Sequence, residues 1–139
     1  MIRVTLDTNV LASGLTRDGS AVAEIIRHWR SGAIVLVTSA HILEELTRAF
    51  ANPYFGSNIS MDQAQALLRL VETKAVVVEL SVEVQGVATH PEDDKVLATA
   101  LSGASEVLCT GDKQLLKLGA FQGVEILSPR DLLVRIAAG

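Results

Sequence analysis

A chain of 139 residues with 49% hydrophobic content lies in the size range of one domain, and we expect a single domain over 1–139 with one aliphatic core. A formal net charge of −4, from 12 Lys and Arg against 16 Asp and Glu, excludes a protein that holds nucleic acid on a broad basic surface. It does not exclude an enzyme whose acidic metal ligands count towards that charge.

The first apolar run, Ile2 to Leu6, is broken at once by Asp7 and Asn9, so neither a signal peptide nor a membrane span is supported. The reading is a soluble cytoplasmic protein. Further short β-branched runs occur at Ile34 to Thr38, Val76 to Glu79, Val107 to Thr110 and Val124 to Leu127. Each reads as a buried parallel strand. The one cysteine, Cys109, sits inside such a run, which fits a reducing compartment and a small core residue.

Helical patterns alternate with these strands. Ser20 opens Ala21 to Arg30, which Gly32 closes, and Ser39 opens Ala40 to Phe50 before Asn52-Pro53. Ser60-Met61-Asp62-Gln63 has the form of a capping box. Pro91 starts a helix through Leu101 that Gly103 closes, and Ser128-Pro129-Arg130-Asp131 starts another with Pro at its first position. The alternation predicts an α/β three-layer sandwich, a central parallel sheet of about five strands flanked by helices. Its functional edge should be where strands end.

Acidic residues fall at that edge. Asp7 follows the first strand and Asp112 follows Val107-Leu108-Cys109-Thr110-Gly111. Each alone would be an ordinary turn acid. Glu44 and Glu45 lie on the second helix, where successive residues turn by roughly 100°. Glu45 falls on the border of the stripe formed by Ile42, Leu46, Ala49 and Phe50, whereas Glu44 points to solvent. Glu92-Asp93-Asp94 exceeds what a positive helix end needs. Asp93 aligns with Leu97 and Ala100, and Asp94 with Leu97, Ala98 and Leu101, so helical geometry does not separate the two. Ionised carboxylates gathered at one edge repel unless a hard cation such as Mg²⁺ or Mn²⁺ sits among them.

Four segments now stand in order: Leu6-Asp7-Thr8-Asn9-Val10, Ser39 through Glu45-Leu46, Pro91-Glu92-Asp93-Asp94-Lys95-Val96-Leu97-Ala98, and Thr110-Gly111-Asp112-Lys113-Gln114-Leu115-Leu116. Together they resemble the PIN domain over almost the whole chain, and most closely its bacterial branch of VapC-like toxins of toxin-antitoxin pairs. The resemblance implies a metal-dependent endoribonuclease with the acidic quartet Asp7, Glu45, Asp94 and Asp112 holding Mg²⁺ or Mn²⁺. It prefers Asp94 because the family's acid precedes a pattern matching Lys95-Val96-Leu97-Ala98, with Asp93 as a candidate to share the metal. Relatives often carry a further Asp where this chain has Thr89-His90; His90 reads as a helix-start or surface residue.

On this reading Asp7 and Asp94 anchor the cation, Asp112 and Glu45 complete the site, and hydrolysis leaves a 5′-phosphate and a 3′-hydroxyl. Thr8, Asn9, Thr110 and Lys113 are candidates to touch substrate or orient ligands. With 4% aromatic residues, base stacking is limited, so RNA shape and backbone contacts should set substrate choice. Arg17, Arg27, Arg30, Lys95 and Lys113 are candidate cations for that backbone. The resemblance also implies a protein antitoxin, expected to cover exposed apolar surface near Ile25, Ile26 and Trp29, and a homodimer. For Trp29, core packing is favoured over partner contact.

Two competing readings use the same residues. A haloacid-dehalogenase-like phosphatase would take Asp7 as nucleophile and Asp93-Asp94 as metal ligands, but that motif's second Asp is Asn9 here. A PIN-like binding module without activity is at odds with a complete quartet.

Overall fold

Residues 1–53 and 59–139 are described, from a computed structural model. Five parallel strands form the sheet: β1 (Arg3–Leu6), β2 (Val35–Ser39), β3 (Val76–Val78), β4 (Val107–Cys109) and β6 (Val124–Leu127). The order is β3-β2-β1-β4-β6-β5, the last a two-residue antiparallel strand (Ala120–Phe121). That sixth strand is absent from the sequence reading, because two residues after the turn at Gly119 carry no periodicity. β1 lies at the centre, with Val4 beside Leu36 on one side and Val107 on the other. The helices are α1 (Thr8–Thr16), α2 (Ala21–Arg30), α3 (Ala40–Ala51), α4 (Met61–Lys74), α5 (Pro91–Ser102), α6 (Lys113–Leu118) and α7 (Pro129–Ala138).

The predicted caps form. Ser20 accepts from the Ala23 N–H, Ser39 from Ile42, and Ser128 from Asp131. Ser60 and Gln63 make the reciprocal capping box. The sequence reading did not anticipate α1 and α6. Both begin one residue after a strand-end acid, and Asp7 and Asp112 are their N-caps.

Strand alternation sends Thr5, Val37 and Leu108 to one face. There Ser105, just past α5, shares a hydrogen bond with Thr5 (2.8 Å), and Ser39 shares one with Thr99 of α5 (2.8 Å). Leu36, Leu108 and Leu11 are fully buried in the core, each contributing about 2 kcal/mol of transfer free energy. Cys109 is buried as expected, and burial followed by the Asp7 charge pushes its thiol up, which leaves it unreactive.

α1 crosses α2 at close range because Gly14 has no side chain. A Cβ there would stand 2.5 Å from Ile26 Cγ1 and 2.8 Å from Val22 Cγ1. Ile25, Ile26 and Trp29 are correspondingly core residues. The expectation that a partner would cover exposed apolar surface at these positions is therefore corrected; the amphipathic face of α2 is spent on the core. Among the described residues, exposed large apolar side chains lie at Met1, Met61, Val76, Val77, Leu80, Val82, Leu118 and Val134. No described helix is long and apolar enough to cross a membrane.

Candidate metal centre

The carboxyl ends of β1 and β4 lie side by side, with Leu6 in register with Cys109. The chain leaves each strand through an acid that caps the next helix. Asp7 Oδ1 accepts from the Val10 N–H at 2.9 Å, and Asp112 Oδ1 accepts from Gln114 (2.8 Å) and Leu115 (3.1 Å). Capping thus fixes both carboxylates at helix N-termini, where the backbone N–H groups favour negative charge.

Thr110 joins the two. Its buried hydroxyl donates to Asp7 Oδ2 and accepts from the Asp112 N–H at 3.0 Å. Glu45 enters from α3, and Thr8 at the start of α1 donates to its Oε1 at 2.8 Å. His41 Nε2 lies 3.2 Å from the same oxygen without the alignment of a hydrogen bond. Glu44 is exposed, as helical geometry predicted.

Asp7, Glu45, Asp93 and Asp112 line one cleft of about 710 Å³, together with Thr8, Asn9, Ser13, Arg48, Asn52 and Gly111. Asp94 does not. It is 6% exposed and turned to the segment before α5, accepting from Gly86 (3.0 Å), Val87 (3.2 Å) and Ala88 (2.7 Å). The preference for Asp94 over Asp93 is thus corrected by geometry. Three backbone N–H groups occupy the Asp94 carboxylate, and Asp93 is the acid of this pair that reaches the cleft.

Thr8 and Asn9 line the cleft as anticipated, and Thr110 supports it from beneath. Lys113 and Lys95 are exposed residues outside the cleft lining, and His90 caps α5 without a side-chain hydrogen bond. Arg48 escaped the sequence reading. It sits three residues after Glu45 on α3, a spacing that places two side chains on one helix face, and it is the one cation among the described residues lining the cleft.

The electrostatics follow from this crowding. Asp7 is pushed up to about 6, first by burial and then by the charges of Asp93 and Asp112, against the lowering effect of its bonds from Thr110 and Val10. Asp93 is also raised, by burial and next by Asp112, with Glu45 and Glu92 adding to it and His90 opposing. Mutual repulsion among oxygen-only donors is the condition that a hard divalent cation relieves, so the donor set fits Mg²⁺ or Mn²⁺. Among the described residues no group of three or more His, Cys, Asp or Glu side chains stands ready to hold an ion alone. Water oxygens would have to complete the coordination of any cation here, which is usual for Mg²⁺.

The PIN domain family model matches residues 3–114, which include all four cleft acids. The chain is a member of the PIN domain family. No curated protein sequence matches it significantly. Among solved structures, it is similar to PAE2754 from Pyrobaculum aerophilum, with a TM-score of 0.65 and 21% identity over 99% of this chain and 91% of that one. VapBC2 from Rickettsia felis, bound to a DNA fragment from its promoter, gives a TM-score of 0.63 and 12% identity over 91% of this chain and 98% of that one. DNA-bound VapBC from Salmonella typhimurium gives 0.56 and 18%, covering 93% and 99%. At these identities the likeness establishes a shared fold.

Proposed function

We propose that the protein is a Mg²⁺- or Mn²⁺-dependent endoribonuclease, acting in the cytoplasm as the toxin of a toxin-antitoxin pair. The observation that carries the proposal is the convergence of Asp7, Glu45, Asp93 and Asp112 on one cleft at the carboxyl edge of a parallel sheet. Asp7, Asp93 and Asp112 would hold the cation, with Glu45 completing the set directly or through water. When bound, such an ion lowers the pKa of water and offsets charge on a phosphate.

The chain's own residues do the rest. Thr110 and the α1 N-terminus hold the Asp7 carboxylate in one orientation, and Thr8 does the same for Glu45. Arg48 supplies positive charge for a phosphate of the RNA backbone, and Asn9 offers a hydrogen-bonding side chain at the rim. In-line hydrolysis then releases a 5′-phosphate and a 3′-hydroxyl, with no call on the ribose 2′-hydroxyl.

The phosphatase reading loses support from the same geometry. Asp94, which that reading takes as a metal ligand, is engaged away from the cleft by three backbone N–H groups. Support for an antitoxin partner comes from membership of the family together with fold neighbours solved as VapBC complexes. A homodimer rests on the family resemblance alone.

The test is incubation of purified protein and its Asp7→Asn variant with single-stranded RNA and Mn²⁺ or Mg²⁺, with and without EDTA. Cleavage by the wild type alone, abolished by EDTA, is the expected result. Cleavage that survives both treatments rejects the mechanism. Turnover of p-nitrophenyl phosphate without RNA cleavage favours the phosphatase, and metal binding without turnover favours an inactive binding module.

A further inference from the structure

We propose that Asp94 is a positioning residue: by clasping Gly86, Val87 and Ala88 it fixes the start of α5 and thereby holds Asp93 in the metal cleft. The inference rests on the nuclease reading above. Two observations meet here. The N-cap of α5, His90, provides no side-chain hydrogen bond, so the usual means of fixing a helix start is absent. In its place the Asp94 carboxylate receives three backbone N–H groups of the preceding segment, two on Oδ1 at 3.2 and 2.7 Å and one on Oδ2 at 3.0 Å.

The clasp needs a carboxylate. Both oxygens accept, so an amide would aim its own N–H at one of the donors. It also needs Gly86, whose φ of +70° is a conformation that side-chain-bearing residues rarely adopt. Asp93 and Asp94 are consecutive in the first turn of α5, with both N–H groups directed at the His90 carbonyl. A first turn untethered from residues 86–88 therefore carries Asp93 with it. Groups that orient metal ligands in this way typically contribute 10–100-fold to metal affinity.

The test measures Mn²⁺ binding to the metal-free protein by calorimetry, and amide hydrogen exchange at residues 86–88. It adds the Mn²⁺ concentration for half-maximal cleavage of a single-stranded RNA, in the wild type, Asp94→Asn and Gly86→Ala. The expected result is faster exchange at 86–88 and Mn²⁺ affinity lower by about tenfold in Asp94→Asn. Gly86→Ala, which leaves α5 intact, should shift both in the same direction by less. Excess Mn²⁺ should restore the cleavage rate with the RNA KM unchanged, which a merely structural role would not produce. Folded variants that bind Mn²⁺ as the wild type does overturn the inference. If Asp94→Asn does not fold, Gly86→Ala decides by the same criterion. A wild type that binds no Mn²⁺ overturns the nuclease reading itself, and the positioning role with it.

Discussion

The hydroxyl of Thr110 donates to Asp7 Oδ2 and accepts from the backbone N–H of Asp112, so one buried side chain just past the end of β4 ties together the acids that follow two neighbouring strands. Replacing it by Val keeps the shape and removes both bonds. We expect Thr110→Val to lower stability by about 1–3 kcal/mol, the usual cost of leaving buried polar partners unsatisfied. The Asp7 pKa should rise further, since the bond from Thr110 lowers it. Thermal denaturation and carboxyl-carbon NMR titration would measure the two effects.

Asp7 makes the metal-free protein sensitive to pH. Its folded value of about 6 lies above the ordinary 3.8, so the folded state holds this proton more tightly than the unfolded chain does. The resulting stability is present below pH 3.8 and lost as pH rises through 6. Asp93, also raised, acts in the same direction. The gap for Asp7 corresponds to on the order of 3 kcal/mol. Asp7→Asn in EDTA should therefore melt higher than the wild type at pH 7.5 and show no such gain at pH 4. Equal melting temperatures at pH 7.5 would contradict this assignment.

Glu44 and Glu45 offer an internal control on α3. Glu45 lines the cleft under a hydrogen bond from Thr8, while its neighbour faces solvent. RNA cleavage should fall by about tenfold or more in Glu45→Gln, in line with losses at metal ligands and their supports. Glu44→Gln should retain wild-type activity, and Thr8→Val, which frees the Glu45 carboxylate, should fall between them.

The tight crossing of α1 on α2 supports the site from behind. A methyl group at residue 14 would meet Ile26, Val22 and the Val22 carbonyl oxygen at 3.0 Å. Despite the better helix propensity of alanine, Gly14→Ala should destabilise by about 1–3 kcal/mol, as overpacking does. Chemical denaturation would measure it.

Most of the sheet could be read from the chain because each parallel strand is a short β-branched run, and Ser20, Ser39, Ser60 and Ser128 announce their helices. α1 and α6 were hidden by economy: Asp7 and Asp112 each end a strand and cap a helix, and no separate cap residue marks the second event. Glu45 was separable from Glu44 because burial on α3 follows helical period. Asp93 and Asp94 were not separable, since both border the buried side of α5. What distinguishes them is the path of residues 86–88, whose N–H groups claim Asp94, and a helical period carries no trace of that path. Ile25 and Ile26 misled as partner surface because the sequence does not disclose how closely Gly14 lets α1 approach α2.

On the proposed assignment Asp7, Glu45, Asp93 and Asp112 together hold a divalent cation. Calorimetric titration of the metal-free protein with Mn²⁺ at pH 7.5, comparing the wild type with Asp7→Asn and Asp93→Asn, decides whether they do. Saturable binding by the wild type and affinity lower by at least about tenfold in each folded variant are expected. Undiminished Mn²⁺ affinity in both variants would contradict it.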